Sequence, residues 1–248
     1  MDERRFYLVI IGTEILNGRR EDAHFNFVKA ILLQHNITLF ASFIIEDESQ
    51  LIANTFKLIK EDPKSILFSF GGIGSTPDDL TRKIAAEVFT QYPLEQHPQF
   101  AKDIIEKFGD AAYPNRINMS MLPRNATLLF NPINNMSGFQ LENRFFFVPG
   151  FPEMSHPMIQ DSVERYFNNV QPLHRQTLTA NCSEDRLIKL MKDLPSSLSL
   201  SSLPQFVNNK PNVVLSLASK DPNLVEKHFK TFTQYLNEEK IDYILGES

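Results

Sequence analysis

Two adjacent carboxylates, Asp78 and Asp79, stand directly after the run Gly71-Gly72-Ile73-Gly74-Ser75-Thr76-Pro77. Bare backbone N–H groups in a glycine turn can take a phosphate, and the start of a following helix adds a partial positive charge. A phosphate seated there would lie against like charge on Asp78 and Asp79. A divalent cation shared between phosphate and carboxylates removes that repulsion and polarises phosphorus toward attack by water. A plainer reading uses the same residues: Thr76 as N-cap, Pro77 as first helical residue, and both acids in the first helical turn. Sequence alone leaves both open.

A second candidate turn is Gly12-Thr13-Glu14-Ile15-Leu16-Asn17-Gly18, followed by Asp22. Glu14 suits a general base or a metal ligand. Asp22 suits a metal site or a helix cap, and either acid can be a solvated loop charge. The chain has 9 Gly in 248 residues, about half the usual share of roughly 7%, and Gly71, Gly72 and Gly74 take three of them. With Ser75 and Thr76 they form the main candidate phosphate site. Gly12, Gly138, Pro149 and Gly150 lie at or beside the ends of other expected elements. In an open parallel sheet the ligand crevice lies outside the carboxyl ends of the strands. Each glycine can equally just close its own turn.

Other chemistries have less support. There is no Gly-x-Ser-x-Gly elbow, no Gly-x-x-x-x-Gly-Lys-Ser/Thr loop, and no Gly-x-Gly-x-x-Gly after the first strand. The six His show no ligand spacing and read as structural. The lone Cys182 excludes an intramolecular disulfide and a cysteine-rich zinc site, and fits a reducing compartment.

The elements that must hold these residues alternate. Apolar runs at Phe6–Ile11, Ile37–Ile45 and Ile66–Phe70 read as buried strands, separated by helices over Asp22–Gln34 and around Ile52–Ile59. A helix follows the glycine turn to about Phe89, and another carries Phe100, Ile104 and Phe108. Residues 109–125 read as loop. Short strands follow at Thr127–Phe130, Phe139–Glu142 and Phe145–Val148, then a helix that Pro157 should interrupt or delay. This rhythm predicts a three-layer α/β domain over 1–168 built on a parallel sheet. From 169 to 248 the order strand, helix, strand, strand, helix, strand predicts a small α+β domain of ferredoxin-like type, with the boundary near Asn168–Leu173.

The composition is that of a globular protein, with 42% hydrophobic and 22% charged residues and a net charge of −5. No basic footprint for nucleic acid is visible. No run approaches the ~18 apolar residues of a membrane span, and Met-Asp-Glu-Arg-Arg leads into no signal-peptide core. The expectation is a cytoplasmic protein without nucleic-acid or membrane partners.

Together the motifs resemble the molybdopterin-binding (MoCF) domain of the competence/damage-inducible protein A (CinA) family. Ile11–Gly18 with Asp22 is similar to its first motif, and Gly71–Thr81 to its second. Asn115-Arg116, Leu122-Pro123, Asn131-Pro132, Gly138-Phe139 and Pro149–Met154 follow in order. The likeness is strong over about residues 5–165 and weak over 170–248.

The resemblance implies a divalent-metal-dependent hydrolase of nucleotide pyrophosphates such as ADP-ribose or FAD, releasing AMP. Its cofactors would be Co²⁺, Mn²⁺ or Mg²⁺, with K⁺. Asp79 with Asp78 would hold the metal, and Glu14 or Asp22 would complete its site or orient water. The alternative is a non-catalytic protein binding a pterin or nucleotide. A homo-oligomer, dimer or trimer, is expected through exposed strand edges of the small domain. The nicotinamide-mononucleotide deamidase domain that ends full-length relatives is expected to be absent. Departures from the family pattern are Ser75 where Pro is usual, Ala23-His24 where Thr-Asn is usual, and Asn134–Gly138 where Gly-Thr-Ala-Pro-Gly is usual.

Overall fold

The computed structural model describes residues 4–167 and 173–246. It divides into two compact units, Met1–Val170 and Gln171–Ser248. The boundary expected near Asn168–Leu173 falls almost wholly on residues outside the described ones.

The first unit opens with β1 (Arg5–Ile11), α1 (Thr13–Leu16), α2 (His24–Gln34), β2 (Leu39–Ile45), α3 (Ser49–Glu61) and β3 (Ser65–Phe70). Next come α4 (Thr81–Ala85), β4 (Glu95–Gln96), α5 (Pro98–Phe108), β5 (Met121–Leu122) and β6 (Thr127–Leu129). β7 (Gly138–Leu141), β8 (Phe145–Val148) and α6 (Pro152–Tyr166) complete it. The main sheet has the order β2-β1-β3-β8-β7-β6. β1 pairs in parallel with β2 and β3, and β3 with β8. β7 runs antiparallel to both β8 and β6. The sheet is therefore mixed, with a parallel centre and an antiparallel edge. Two short connections, 130–137 and 142–144, leave no room for the crossover that a parallel pair requires.

All six residues of β3 are buried, and so are Phe6–Ile11 of β1, because helices cover both faces. Val9, Leu67 and Phe147 pack on one side with Ile52, Phe56 and Ile59 of α3. Leu8, Phe68 and Phe146 pack on the other with Val28 and Leu32 of α2 and Ile159 and Val163 of α6. A side chain such as Phe56, fully buried, contributes about 1.5–3 kcal/mol. This is the three-layer arrangement expected. Pro157 does not interrupt α6, which runs through it; burial of Met158, Ile159 and Val163 just beyond outweighs the lost backbone bond.

The second unit consists of β9 (His174–Ala180), α7 (Ile188–Lys192), β10 (Ser199–Val207), β11 (Lys210–Ser219), α8 (Pro222–Glu238) and β12 (Tyr243–Leu245). Its sheet order is β10-β11-β9-β12, antiparallel throughout. That order and the βαββαβ succession define a ferredoxin-like α+β fold. Leu178, Leu215 and Phe232 form its core.

Candidate functional site

Three loops meet outside the carboxyl ends of β1, β3 and β8. Register places Ile10 beside Phe70 and Phe70 beside Val148, so the chain leaves all three strands at one edge. The loops enclose a cavity of about 520 Å³. Glu14, Gly71, Gly72, Gly74, Ser75, Thr76, Asp78, Asp79, Pro149 and Gly150 all line it.

Three expected residues do not. Gly12 sits at the end of β1 with its N–H bonded to the Ile45 carbonyl at 3.0 Å. Gly138 is inside β7, opposite Leu129, where a Cβ would meet the Phe147 carbonyl oxygen at 2.5 Å. Asp22 accepts the N–H groups of His24 and Phe25 at 2.8 and 3.0 Å, so it caps the first turn of α2.

The glycine turn is built by steric necessity. Gly71 and Gly72 have φ of +97° and +67°, the left-handed region that favours glycine. A Cβ at Gly71 would also strike the Ile11 carbonyl oxygen, and one at Gly72 would strike Thr81 Oγ1. The helix that follows begins at Thr81 and not at Pro77. Thr76 is therefore not an N-cap, and the acids are not in a first helical turn. Asp79 instead folds back: its Oδ1 accepts the Gly74 N–H at 2.7 Å, and its Oδ2 accepts the Thr76 N–H at 2.7 Å and Thr76 Oγ1 at 2.5 Å. A side chain that closes a loop on its own backbone competes with helix extension, and here the loop wins. Asp78 is exposed, and the neighbouring Thr76 hydroxyl, followed by its own backbone N–H, holds its carboxyl below the usual range.

Several residues at the cavity were not among the expected site residues. Asp47, just past β2, accepts the Thr13 N–H at 2.8 Å and Thr13 Oγ1 at 3.1 Å. Arg20 lies 3.9 Å from Glu14, and its guanidinium is 5.3 Å from the Phe151 ring centre. Arg116 stacks 4.8 Å over Phe108 and donates to the Ala111 carbonyl at 2.7 Å. Of these, Asp47 had a signal in its place at the carboxyl end of a parallel strand and Arg116 in the Asn115-Arg116 motif, while Arg20 had none. Asn134, Met136 and Ser137 of the departing loop line the cavity as well.

Beneath the cavity rim lies a histidine pair. His24 Nε2 meets the Gly150 carbonyl at 3.3 Å, and His24 Nδ1 meets His156 Nε2 at 3.2 Å. A carbonyl only accepts, so His24 carries its proton on Nε2 and His156 donates from its own Nε2. His24 stacks on Phe70 at 4.3 Å and His156 on Phe27 at 3.7 Å.

Among the described residues, no group of three or more His, Cys, Asp or Glu is close enough to hold a metal ion. The acids on the cavity wall are hard oxygen donors. Their chemistry suits a divalent cation that takes its remaining ligands from a phosphate.

An α/β unit with a parallel-centred sheet and a glycine turn at its strand ends is the class this geometry defines. The chain belongs to the family described as "Probable molybdopterin binding domain", whose model matches residues 7–169. A CinA-like protein of Acaryochloris marina is 30% identical over 169 residues, covering 65% of this chain and 40% of that protein. Another from Synechococcus elongatus is 27% identical over 211 residues, covering 83% of this chain and 49% of the relative. The chain thus spans less than half the length of these relatives. In fold it resembles the crystal structure of a CinA protein of unknown function from Thermoplasma acidophilum. There the TM-score is 0.59 and the identity 23%, over 66% of this chain and 98% of that one. Among the described residues no helix is long and apolar enough to cross a membrane.

Proposed function

We propose that the cavity takes a nucleotide pyrophosphate such as ADP-ribose or FAD and hydrolyses its phosphoanhydride, releasing AMP. The observation that carries this reading is the convergence of the Gly71–Ser75 turn, Arg20, Arg116 and the carboxylates of Glu14, Asp78 and Asp79 on one cavity. Turn amides and arginines are complementary to a diphosphate. Asp79 with Asp78 would contribute ligands to a divalent cation (Co²⁺, Mn²⁺ or Mg²⁺, with K⁺) that takes its remaining ligands from the phosphates, and that cation would supply charge neutralisation and polarisation of phosphorus when bound. Glu14 is the residue that orients water and accepts its proton. Water adds to one phosphorus, the bridging P–O bond breaks, and the products are AMP and a second phosphate ester. Phe151 and Met154 form an apolar wall suited to a base or flavin ring.

A second reading is binding of a pterin or nucleotide without turnover. It is favoured by one observation: both Asp79 oxygens are already spent on Gly74 and Thr76. AMP release from ADP-ribose and FAD, with each metal plus K⁺ against an EDTA control, separates the two. Metal-dependent AMP supports hydrolysis, and tight binding without product supports the binding protein. Self-association as a dimer or trimer belongs to the same proposal. β10 and β12 each have one neighbouring strand and thus an open edge, and a monomer in light scattering would remove it.

A further inference from the structure

The four consecutive carbonyls of the glycine turn are all held by two residues of the following helix. Thr81 Oγ1 donates to the Gly71 oxygen at 3.0 Å, and the Thr81 N–H to the Gly72 oxygen at 2.9 Å. Arg82 Nη1 donates to the carbonyl oxygens of both Ile73 and Gly74. In a trans peptide the C=O and the next N–H point in opposite directions, and no peptide of this turn is cis. Drawing the carbonyls toward the helix therefore turns the N–H groups of Gly72, Ile73, Gly74 and Ser75 the other way. Asp79 takes the Gly74 N–H. Those of Gly72, Ile73 and Ser75 meet no acceptor among the described residues.

Arg82 is an unusual group to spend on this task. It is buried, and its Nε has no hydrogen-bond partner among the described residues. A buried guanidinium without a paired carboxylate is costly and leaves positive charge under the turn. The nearest acid influence is Asp79, which opposes the effect of burial on Arg82 without forming an ion pair. Ser75 borders both the main cavity and an adjoining recess of about 270 Å³ that includes Arg116.

We infer that Arg82 is a positioning residue which, by holding the Ile73 and Gly74 carbonyls, aims the Ser75 N–H into the cavity as a donor to a ligand phosphate. The inference rests on the phosphate-binding reading above. The Ser75 donor is a contact to the ligand phosphate made usable by a cation buried beneath it.

The test is calorimetric titration, with Mg²⁺ present, of the non-hydrolysable methylene-bridged analogue of ADP-ribose, so that binding is read without turnover, on the Ser75→Ala and Ser75→Pro variants. Both lose the hydroxyl, but only the second loses the N–H. Ser75 is not among the residues of positive φ, so proline does not demand a change of sign there. Ser75→Pro should bind about tenfold more weakly than Ser75→Ala, the scale of one charge-assisted hydrogen bond. Arg82→Gln should weaken binding by a similar factor, with KM for AMP release rising more than kcat falls. Arg82→Lys, which keeps the charge and a donor, should recover part of the affinity. Equal affinity of the two Ser75 variants, with the unmodified chain binding, overturns the inference and leaves the reading of the site standing. No binding by the unmodified chain overturns both. If Arg82→Gln does not fold, the Ser75 pair still decides.

Discussion

The carboxylate of Asp79 lies against the bare Cα of Gly74. Its Oδ1 accepts the Gly74 N–H at 2.7 Å, and a Cβ at Gly74 would stand 2.5 Å from Oδ2 and 2.9 Å from Oδ1. Glycine is required here by the acid and not by φ. Gly74→Ala should push the carboxylate off the turn and lose a charge-assisted bond of roughly 1.5–3 kcal/mol. AMP release should fall at least about tenfold, while the far-UV spectrum stays that of the parent. Unchanged turnover would show that Asp79 does not need this seat.

Asp79→Ala and Asp78→Ala separate holding the loop from holding a ligand. Asp79 accepts three hydrogen bonds within the turn, so its removal should cost about 1–3 kcal/mol in denaturant unfolding and abolish hydrolysis. Asp78 is exposed, so its removal should leave stability within about 0.5 kcal/mol. Any loss of activity in that variant then reports on metal or phosphate. Full activity in both variants would end the metal role assigned to them.

The histidine pair predicts an acid limb in stability. Burial first, then the neighbouring His24, draws His156 down from 6.5 to about 4, with Glu153 and Asp22 opposing. Burial likewise lowers His24, against the Gly150 carbonyl and Asp22, while Arg20 adds to the lowering. Both rings thus hold protons less well in the folded chain than in the unfolded one. Between about 4 and 6.5 the unfolded chain binds more protons, so stability rises with pH across that window. The contribution of the neutral pair is complete above 6.5 and is lost as pH falls toward 4. Thermal melts should show a falling Tm over that range, and His156→Gln, which keeps a donor for His24, should flatten the fall. An equally steep limb in the variant would assign it to other groups.

Metal removal gives the broadest prediction. With EDTA the protein should keep its fold, since among the described residues no metal cluster ties its elements together. It should lose AMP release altogether. Restoring a divalent ion should return activity only in the presence of ADP-ribose or FAD, because the phosphate completes the coordination. A metal that binds tightly without nucleotide would contradict this order.

Much of the scaffold was legible because local pattern and tertiary demand agree there. The buried runs of β1 and β3 cannot sit anywhere but a sheet covered on both faces, and the left-handed Gly71 and Gly72 announce themselves by composition. What was not legible depends on contacts between distant segments. Thr76-Pro77-Asp78-Asp79 has good capping chemistry, yet Asp79 finds acceptor-seeking amides behind it sooner than the helix can start. Asp22 carried two readings, and the amides of His24 and Phe25 decide for the cap. Arg82 and Arg20 look like ordinary surface arginines in sequence. Only folding brings Arg82 beneath a turn some nine residues earlier in the chain. His24 and His156, 132 residues apart, have no spacing by which sequence could pair them.

The closeness of Gly150 to Gly71 has a consequence for engineering. A Cβ on Gly150 would lie 3.5 Å from the Gly71 Cα, the Gly71 N–H is bonded to the Val148 carbonyl, and His24 is wedged against both Phe70 and Gly150. The two loops are thus one mechanical part. Grafting the Pro149–Met154 segment of a relative onto this chain would drag the glycine turn with it. A transplant must carry both loops and the imidazole between them, or neither will keep its shape.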